Sequence, residues 1–129
     1  MVSKELMLST IDKVSKVDGV AMAPLGLLED VVTLAKSFPE EEDFSLAAAE
    51  TLIALRHARD GRVDATPLRF SLAGWYSYHY RHKRENGQKA DMRLVYRPSN
   101  RGIEVKAFGH RHVPSDFYKR IRDDQVDRL

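Results

Sequence analysis

The hydrophobic pattern of this chain changes its period once, near Gly61, and this change limits the folds open to it more than any other feature. Before Gly61 the apolar residues recur at the three- and four-residue spacing of helices that bury one face. After Gly61 they alternate with polar residues, as in strands that are buried on one side. Helices followed by strands predict an α+β protein whose N-terminal helices pack on a small antiparallel sheet.

The first two predicted helices are separated by a short connector. Helical spacing covers residues 4 to 17 and ends near Gly19, a residue type that is favoured after a last turn. The spacing resumes at Leu27 and stops at Pro39, because proline cannot continue a helix. We interpret residues 20 to 26, which show no clear period, as a connector.

A third helix is predicted from Ser45 to Gly61. The Ser45 hydroxyl can accept a hydrogen bond from an amide of the first turn, and Gly61 is a typical end. The acidic run Glu40–Asp43 precedes this helix and is interpreted as a solvated loop. The first half of the chain is therefore expected to be helical.

About four strands and a short C-terminal helix are predicted in the second half. The dipeptide Asn86-Gly87 favours a turn, so the second and third strands should form a hairpin with a long loop. Pro98 is expected to stop the third strand, and Ser115 to cap a helix that runs to about Asp127. The predicted strands cover residues 68–72, 75–80, 92–97 and 103–107.

The length and composition suit one domain. The 129 residues divide into a helical half, 1–60, and a β-rich half, 61–129. The sequence has no cysteine, which excludes disulfides and cysteine zinc sites and is typical of a reducing compartment. Apolar stretches are much shorter than the about 20 residues that a bilayer requires, and residues 1–10 lack the pattern of a secretory signal. We expect a cytoplasmic protein with no membrane segment, metal or cofactor.

Charge is divided unevenly between the two halves. Residues 1–60 hold 6 Lys and Arg against 11 Asp and Glu, a net −5, whereas residues 61–129 hold 15 against 8, a net +7. The basic half also holds four of the five histidines. The total of +2 therefore conceals a polarised molecule, and the basic half suggests a partner that carries phosphates.

Arginines on the predicted strands are candidates for binding phosphate. Period-two alternation puts Arg93, Val95 and Arg97 on one face of a strand. The intervening residues face the other way: Met92, Leu94 and Tyr96. On the next predicted strand the same rule groups Glu104, Lys106 and Phe108, so Lys106 could lie near either arginine. Guanidinium groups bind phosphate and stay charged, which suits stabilisation of extra negative charge on phosphorus.

Proton transfer near neutral pH requires a group that titrates there, and histidines supply it. The candidates are His79, His82, His110 and His112, with Tyr118 as a weaker one. Each feature also has a simpler explanation. The basic face could be only solvated, and His110 with His112 could be surface residues or part of a metal site. Three tyrosines of one strand could stack on unpaired bases or pack within the sheet: Tyr76, Tyr78 and Tyr80. Trp75 is expected in the core.

Several short segments occur in a moderately specific order. They are Pro67-Leu68-Arg69, Gly74-Trp75-Tyr76, Met92 to Tyr96, Val105 to Arg111, and Tyr118. Over about residues 66 to 121 this order resembles the carboxy-terminal half of the RelE/ParE toxin superfamily. The resemblance implies a small toxin whose helical hairpin packs on an antiparallel sheet. It also implies an endonuclease acting on ribosome-bound mRNA, or a gyrase inhibitor in the ParE branch, held in check by an antitoxin protein.

The resemblance also implies roles for individual residues. Arg93 and Arg111 match arginines that stabilise the phosphorane formed when the RNA 2′-hydroxyl attacks the adjacent phosphorus. Tyr118 matches the terminal tyrosine, and Tyr118, His110 or His112 would move protons. Such an arginine-rich site works without metal.

The chain departs from the family pattern in three places. Members usually carry Lys or Arg where this chain has Tyr76 and Tyr78, so that role is missing or has moved to His79, Arg81 or Lys83. The loop 81–91 is long and basic and could extend a contact with RNA or the ribosome. The first half lacks the family's opening strand, and its first helix is expected to mediate a homodimer or to cover the basic face. The predicted RNA contacts are Arg81, Lys83, Arg84, Arg97, Lys106, Tyr76 and Tyr78. The alternative function is a ParE-like or degenerate member that binds a protein or nucleic acid without cleaving it.

Overall fold

The computed structural model describes residues 1–85, 87 and 89–129, which form four α-helices and a five-stranded mixed sheet. The helices are α1 (Lys4–Ser15), α2 (Pro24–Ser37), α3 (Glu41–Arg59) and α4 (Phe117–Asp123). The strands are β1 (Val20–Met22), β2 (Thr66–Pro67), β3 (Tyr76–Tyr80), β4 (Met92–Ser99) and β5 (Gly102–His110). Their order is β1-β5-β4-β3-β2, with β1 parallel to β5 and the other neighbours antiparallel. The predicted α+β class is confirmed, but the sheet has five strands where about four were predicted, and β1 makes it mixed where an antiparallel sheet was predicted.

Capping residues explain where the first two helices begin. The Ser3 hydroxyl accepts a hydrogen bond from the Leu6 N–H at 3.1 Å and so caps α1. Pro24 opens α2, at a position where a missing N–H loses no hydrogen bond. Both predicted helices are confirmed, although α2 begins about one turn before Leu27.

The prediction for the start of the third helix is wrong. α3 begins at Glu41, so the acidic run that we interpreted as a loop lies mainly in its first turn. Carboxylates are stabilised there by the positive end of the helix dipole. Ser45 lies inside the helix instead of capping it. The predicted end is confirmed, because α3 stops at Arg59 and Gly61 adopts a left-handed φ of +71°.

The connector before α2 contains β1, which corrects the prediction that an opening strand is missing. Its three residues pair in parallel with 103–105. Three residues are too few to show alternation, and the partner strand lies about 80 residues later. Gly102 makes the junction possible, because a Cβ there would lie 2.0 Å from the Gly19 carbonyl oxygen.

The strand predicted over residues 68–72 is not formed. Only Thr66–Pro67 pair with β3, and Phe70–Leu72 form a 3₁₀ turn. The Leu68 N–H donates to the Trp75 carbonyl oxygen at 2.9 Å, so the chain reverses direction within this segment. The apolar alternation therefore belongs to a turn.

The hairpin of β3 and β4 is confirmed, but β4 does not stop at Pro98. Pairing with β3 reaches only to Tyr96, opposite Tyr76, so the missing N–H of Pro98 falls where β3 offers no partner. The turn predicted at Asn86-Gly87 includes Asn86, which lies outside the described residues.

The last helix is shorter than predicted. Asp116 caps α4 in place of Ser115, and its carboxylate accepts a hydrogen bond from the Lys119 N–H at 2.9 Å. The helix ends at Asp123 rather than near Asp127. The helix therefore contributes only seven residues to the cover on this side of the sheet.

A β-bulge changes the predicted faces of β5. The strand carries one extra residue, Lys106, opposite the junction of Val95 and Tyr96. The residues after it change sides: Phe108 packs in the helix-facing core, and Ala107 packs on the opposite side. The predicted grouping of Phe108 with Lys106 is therefore wrong.

The sheet separates two hydrophobic clusters. The larger one lies between the sheet and the helices α1, α2 and α3, and its most buried members include Leu34, Phe44, Leu55, Met92 and Leu94. The smaller one lies beneath α4 and contains Trp75, Val95, Ala107, Phe117 and Ile121. Because α1 packs on the side of the larger cluster, it does not cover the basic face of β4, contrary to one of its two expected roles. Within the described residues, no helix is both long enough and apolar enough to cross a membrane.

A buried carboxylate joins α2, β5 and α4. β1 pairs with β5 only as far as Val105, so beyond that residue the backbone of β5 has no strand partner on this edge within the described part of the chain. There the Asp30 carboxylate of α2 accepts a hydrogen bond from the Phe108 N–H at 3.0 Å. Asp30 also binds Arg120 at 2.9 Å and Arg128 at 2.9 and 3.0 Å, and it is completely buried. This network satisfies backbone groups that would otherwise lie unpaired at a sheet edge.

Candidate active site

Strand pairing brings a histidine and an arginine together on the α4 side of the sheet. His79 on β3 is the direct partner of Arg93 on β4. Ser77 faces the same side, two residues earlier on β3, and its Oγ lies 2.7 Å from the hydroxyl oxygen of Tyr118 on α4. We call these residues, together with Arg111, the Arg93 cluster.

Arg93 is largely enclosed, with 8% of its surface exposed. Its Nη1 donates to the carbonyl oxygens of Ala90 and Met92, each at 3.0 Å. Burial lowers the pKa of the guanidinium, and Arg111 acts in the same direction, while interaction with Tyr118 favours the charged form. Arginine nevertheless stays protonated at neutral pH, so the cluster contains a fixed positive charge in a poorly hydrated place.

Arg111 follows the last residue of β5, and two backbone hydrogen bonds fix its position. Its N–H donates to the Asp91 carbonyl oxygen at 2.9 Å, and its carbonyl oxygen accepts from the Phe117 N–H at 3.0 Å. Among the described residues, the buried Nε of Arg111 has no hydrogen-bond partner. An unpaired buried donor costs about 1–3 kcal/mol.

His79 is the member of the cluster best suited to accept a proton. Partial desolvation of its imidazole lowers its pKa, and the charges of Arg93 and Arg111 lower it further. A histidine with a pKa below its ordinary value of 6.5 is neutral at about pH 7. The residue is exposed at the surface, so a substrate can reach it.

Three predicted catalytic residues, Arg93, Arg111 and Tyr118, therefore lie in one cluster. Sequence reasoning did not select Ser77, and it named His79 only among several candidates. The signal was present in the strand alternation, because residues 77 and 79 lie between the three tyrosines and must face the opposite side.

His110 faces away from this cluster, and the ring of His112 lies 6.4 Å from the ring of His110. His110 lies on the helix-facing side, with its ring 5.7 Å from the ring of Phe38. Its Nδ1 accepts hydrogen bonds from the N–H groups of His112 and Val113, at 3.0 and 2.9 Å. Burial lowers the pKa of His110, while Asp91 acts in the opposite direction. Among the described residues, no group of three or more His, Asp or Glu side chains is arranged to hold a metal ion.

Two of the basic residues predicted to contact RNA in the loop after β3 are paired with acidic residues of α3. The Lys83 Nζ lies 3.2 Å from Asp43, and Arg84 forms an ion pair with Glu50. Arg81 is exposed at the end of β3. The loop is therefore attached to α3 by charge pairs, and these two residues are less available to a phosphate than the sequence suggested.

Arg97 and Lys106 lie over the two-ring system of Trp75, at 4.2 and 4.5 Å from a ring centroid. The Arg97 Nε also donates to Glu104 at 2.8 Å. Burial lowers the pKa of Lys106, and the nearby charges of Arg97 and Arg128 lower it further. Trp75 is 6% exposed, which confirms its predicted place in the core.

The tyrosines of β3 lie on the helix-facing side, opposite to Arg93. Tyr80 is buried, and its hydroxyl lies 2.8 Å from the Thr51 hydroxyl; burial raises the pKa of this phenol. Tyr78 stacks on Tyr80 with ring centroids 5.8 Å apart, and Tyr76 is 37% exposed. The packing explanation is therefore correct for Tyr80, and Tyr76 and Tyr78 are not close partners of the Arg93 cluster.

No family model, curated protein or solved structure matches this chain.

Proposed function

We propose that this protein is a RelE-like toxin, a metal-independent endoribonuclease that cleaves mRNA bound to the ribosome. The observation that supports this most strongly is the grouping of two arginines with His79 and Tyr118. Arg111 adds a second guanidinium, whose charge acts on both Arg93 and His79. Such a group can bind a phosphodiester and move protons beside it.

RNA carries its own nucleophile. The 2′-oxygen attacks the adjacent phosphorus, the bond from phosphorus to the next 5′-oxygen breaks, and the products are a 2′,3′-cyclic phosphate and a 5′-hydroxyl. Negative charge accumulates on the non-bridging oxygens during the attack. The guanidinium groups of Arg93 and Arg111 stabilise that charge, which is why the reaction requires no metal ion.

His79 and Tyr118 transfer the protons in this proposal. Neutral His79 removes the proton of the 2′-hydroxyl, and the Tyr118 hydroxyl gives its proton to the departing 5′-oxygen. Ser77 orients the Tyr118 hydroxyl through their 2.7 Å hydrogen bond. His79 thus takes the role for which His110 and His112 were the sequence candidates.

The partners follow from the same proposal. Arg81, Arg97 and Lys106 would contact mRNA on the ribosome, and an antitoxin that covers the Arg93 cluster would keep the enzyme inactive. A homodimer through the N-terminal helices stays a prediction, which sedimentation of the purified protein would test.

Primer extension on mRNA from cells that briefly express the chain tests the cleavage. Arg111→Ala removes the unpaired donor, and Arg101→Ala, in the exposed turn between β4 and β5, is the matched loss of one positive charge. We expect new cuts within translated regions for the wild type and Arg101→Ala, and none for Arg111→Ala. Equal cutting by both variants would contradict the proposed site.

A second candidate is a ParE-like or degenerate protein that binds its target without cleavage. It is favoured by hydrogen bonds within the protein that already engage two of the groups proposed for catalysis. The Arg93 Nη1 donates to two backbone carbonyl oxygens, and the Tyr118 hydroxyl is hydrogen-bonded to the Ser77 hydroxyl. Growth arrest with intact mRNA, lost in Arg111→Ala, would support this candidate over the nuclease.

A further inference from the structure

Phe70 combines two features that its own fold does not explain. Its side chain is 93% exposed, the highest value among the large apolar residues apart from Met1. Its φ is +57°, and among the described residues it is the one non-glycine residue with a positive φ. An aromatic residue rarely adopts this conformation, which glycine adopts easily.

Neither feature stabilises the protein. A ring exposed to this extent buries little apolar surface on folding. The left-handed backbone adds strain, and such strain concentrates at functional sites. A ring that is held in solvent at the cost of strain is available to contact something other than this chain.

The position of Phe70 indicates what that contact is. The residue lines a depression of about 200 Å³ together with Tyr118 of the Arg93 cluster. Arg69 and Arg122 also line this depression, and its described lining contains no acidic residue. An exposed aromatic ring that shares a depression with cations is typical of sites for single-stranded nucleic acid, because a base stacks on the ring while the cations hold the backbone.

We propose that Phe70 stacks on an unpaired base of single-stranded RNA beside the phosphate bound by the Arg93 cluster. Arg69 and Arg122 bind the flanking phosphates. This inference rests on the proposed function and extends it, since it identifies a substrate-binding subsite next to Tyr118. The contact tolerates any base, because each base offers a flat face for stacking.

The test compares Phe70→Gly with Phe70→Tyr in binding to a short 2′-O-methyl single-stranded RNA, which cannot be cleaved by its own 2′-oxygen. Loss of one stacked base weakens affinity about 5- to 150-fold. We expect a loss in this range for Phe70→Gly and affinity close to wild type for Phe70→Tyr. Leu8→Ala, which shortens another exposed apolar side chain on α1, should bind as the wild type does.

An RNA series with one base removed at each position in turn supplies the second measurement. Wild-type protein should lose affinity at one position, and Phe70→Gly should be insensitive to removal of that base. Equal RNA affinity of wild type and Phe70→Gly, with Arg111→Ala weakened, would overturn the stacking inference and leave the proposed function standing. No binding by the wild type would overturn the stacking inference, and primer extension would then decide the proposed function by itself. Loss of growth arrest in Phe70→Gly with unchanged RNA affinity would assign the ring to a protein contact and also overturn the inference.

Discussion

Replacement of Asp30 by alanine should destabilise the protein more than any loss of a surface charge. The carboxylate is completely buried and accepts four hydrogen bonds, from Arg120, from the Phe108 N–H and twice from Arg128. Its removal leaves two guanidinium groups whose side chains are only 10% and 4% exposed. Loss of one partner from such a buried pair costs about 3–5 kcal/mol.

The expected loss is therefore about 4 kcal/mol, a large part of the roughly 5–15 kcal/mol that stabilises a typical domain. In the wild type, burial acts to lower the pKa of Arg128, but hydrogen bonds to Asp30 and Asp124 raise it overall. In the variant Arg128 still pairs with Asp124, and an arginine stays protonated at neutral pH, so this guanidinium cannot escape the cost by losing its proton. For a chain of this size the melting temperature should fall by about 12–20 °C.

Urea unfolding followed by Trp75 fluorescence measures this loss, because the chain has one tryptophan and it is buried. Asp12→Ala is the control: its carboxylate pairs with Lys16 on the surface of α1, and its loss should cost less than about 0.5 kcal/mol. The double variant Asp30→Ala, Arg128→Met should regain part of the stability, since it removes one uncompensated charge. A loss below about 1 kcal/mol in Asp30→Ala, or no recovery in the double variant, would refute the reasoning.

Three further predictions concern stability. Burial lowers the pKa of His110 in the folded protein below its ordinary value of 6.5. At a pH between the lowered pKa and 6.5, the unfolded chain therefore binds more protons than the folded one. The free energy of unfolding should therefore rise with pH through this window and fall below about pH 6.5, and His110→Gln should reduce the difference between urea midpoints at about pH 5.5 and 7.5. Gly102→Ala should cost at least about 2 kcal/mol, because its Cβ would overlap a carbonyl oxygen at 2.0 Å; Gly74→Ala, with nothing within 4 Å, should cost less in the same titration. Arg111→Met should leave the urea midpoint unchanged or higher while it abolishes growth arrest, because it removes a buried donor that has no partner among the described residues.

The helices could be predicted from the sequence because the signals that define them are local. Apolar spacing, Pro39 and Gly61 act within one or two turns, and they place α1, α2 and the end of α3 correctly. The main error among the helices is the start of α3, which begins at Glu41 and not at Ser45. An acidic run is compatible both with a loop and with the first turn of a helix, so the local sequence did not distinguish the two. Strand alternation likewise predicted that Arg93 faces away from Met92 and Leu94, which the two clusters confirm.

Contacts between distant segments determine the features of the fold and of the site that the sequence did not predict. Short β1 exists because residues 103–105 offer it a partner, and the side that Phe108 faces depends on the bulge between β4 and β5. The Arg93 cluster joins side chains from β3, β4, the end of β5 and α4, and their convergence depends on strand register and on the packing of α4. The sequence alone therefore determined which residues carry charge, form helices and alternate along strands, because those properties act within a few residues. Tertiary packing determined which of these residues meet, because the buried area and hydrogen bonds that bring them together form only when segments far apart in the chain come into contact.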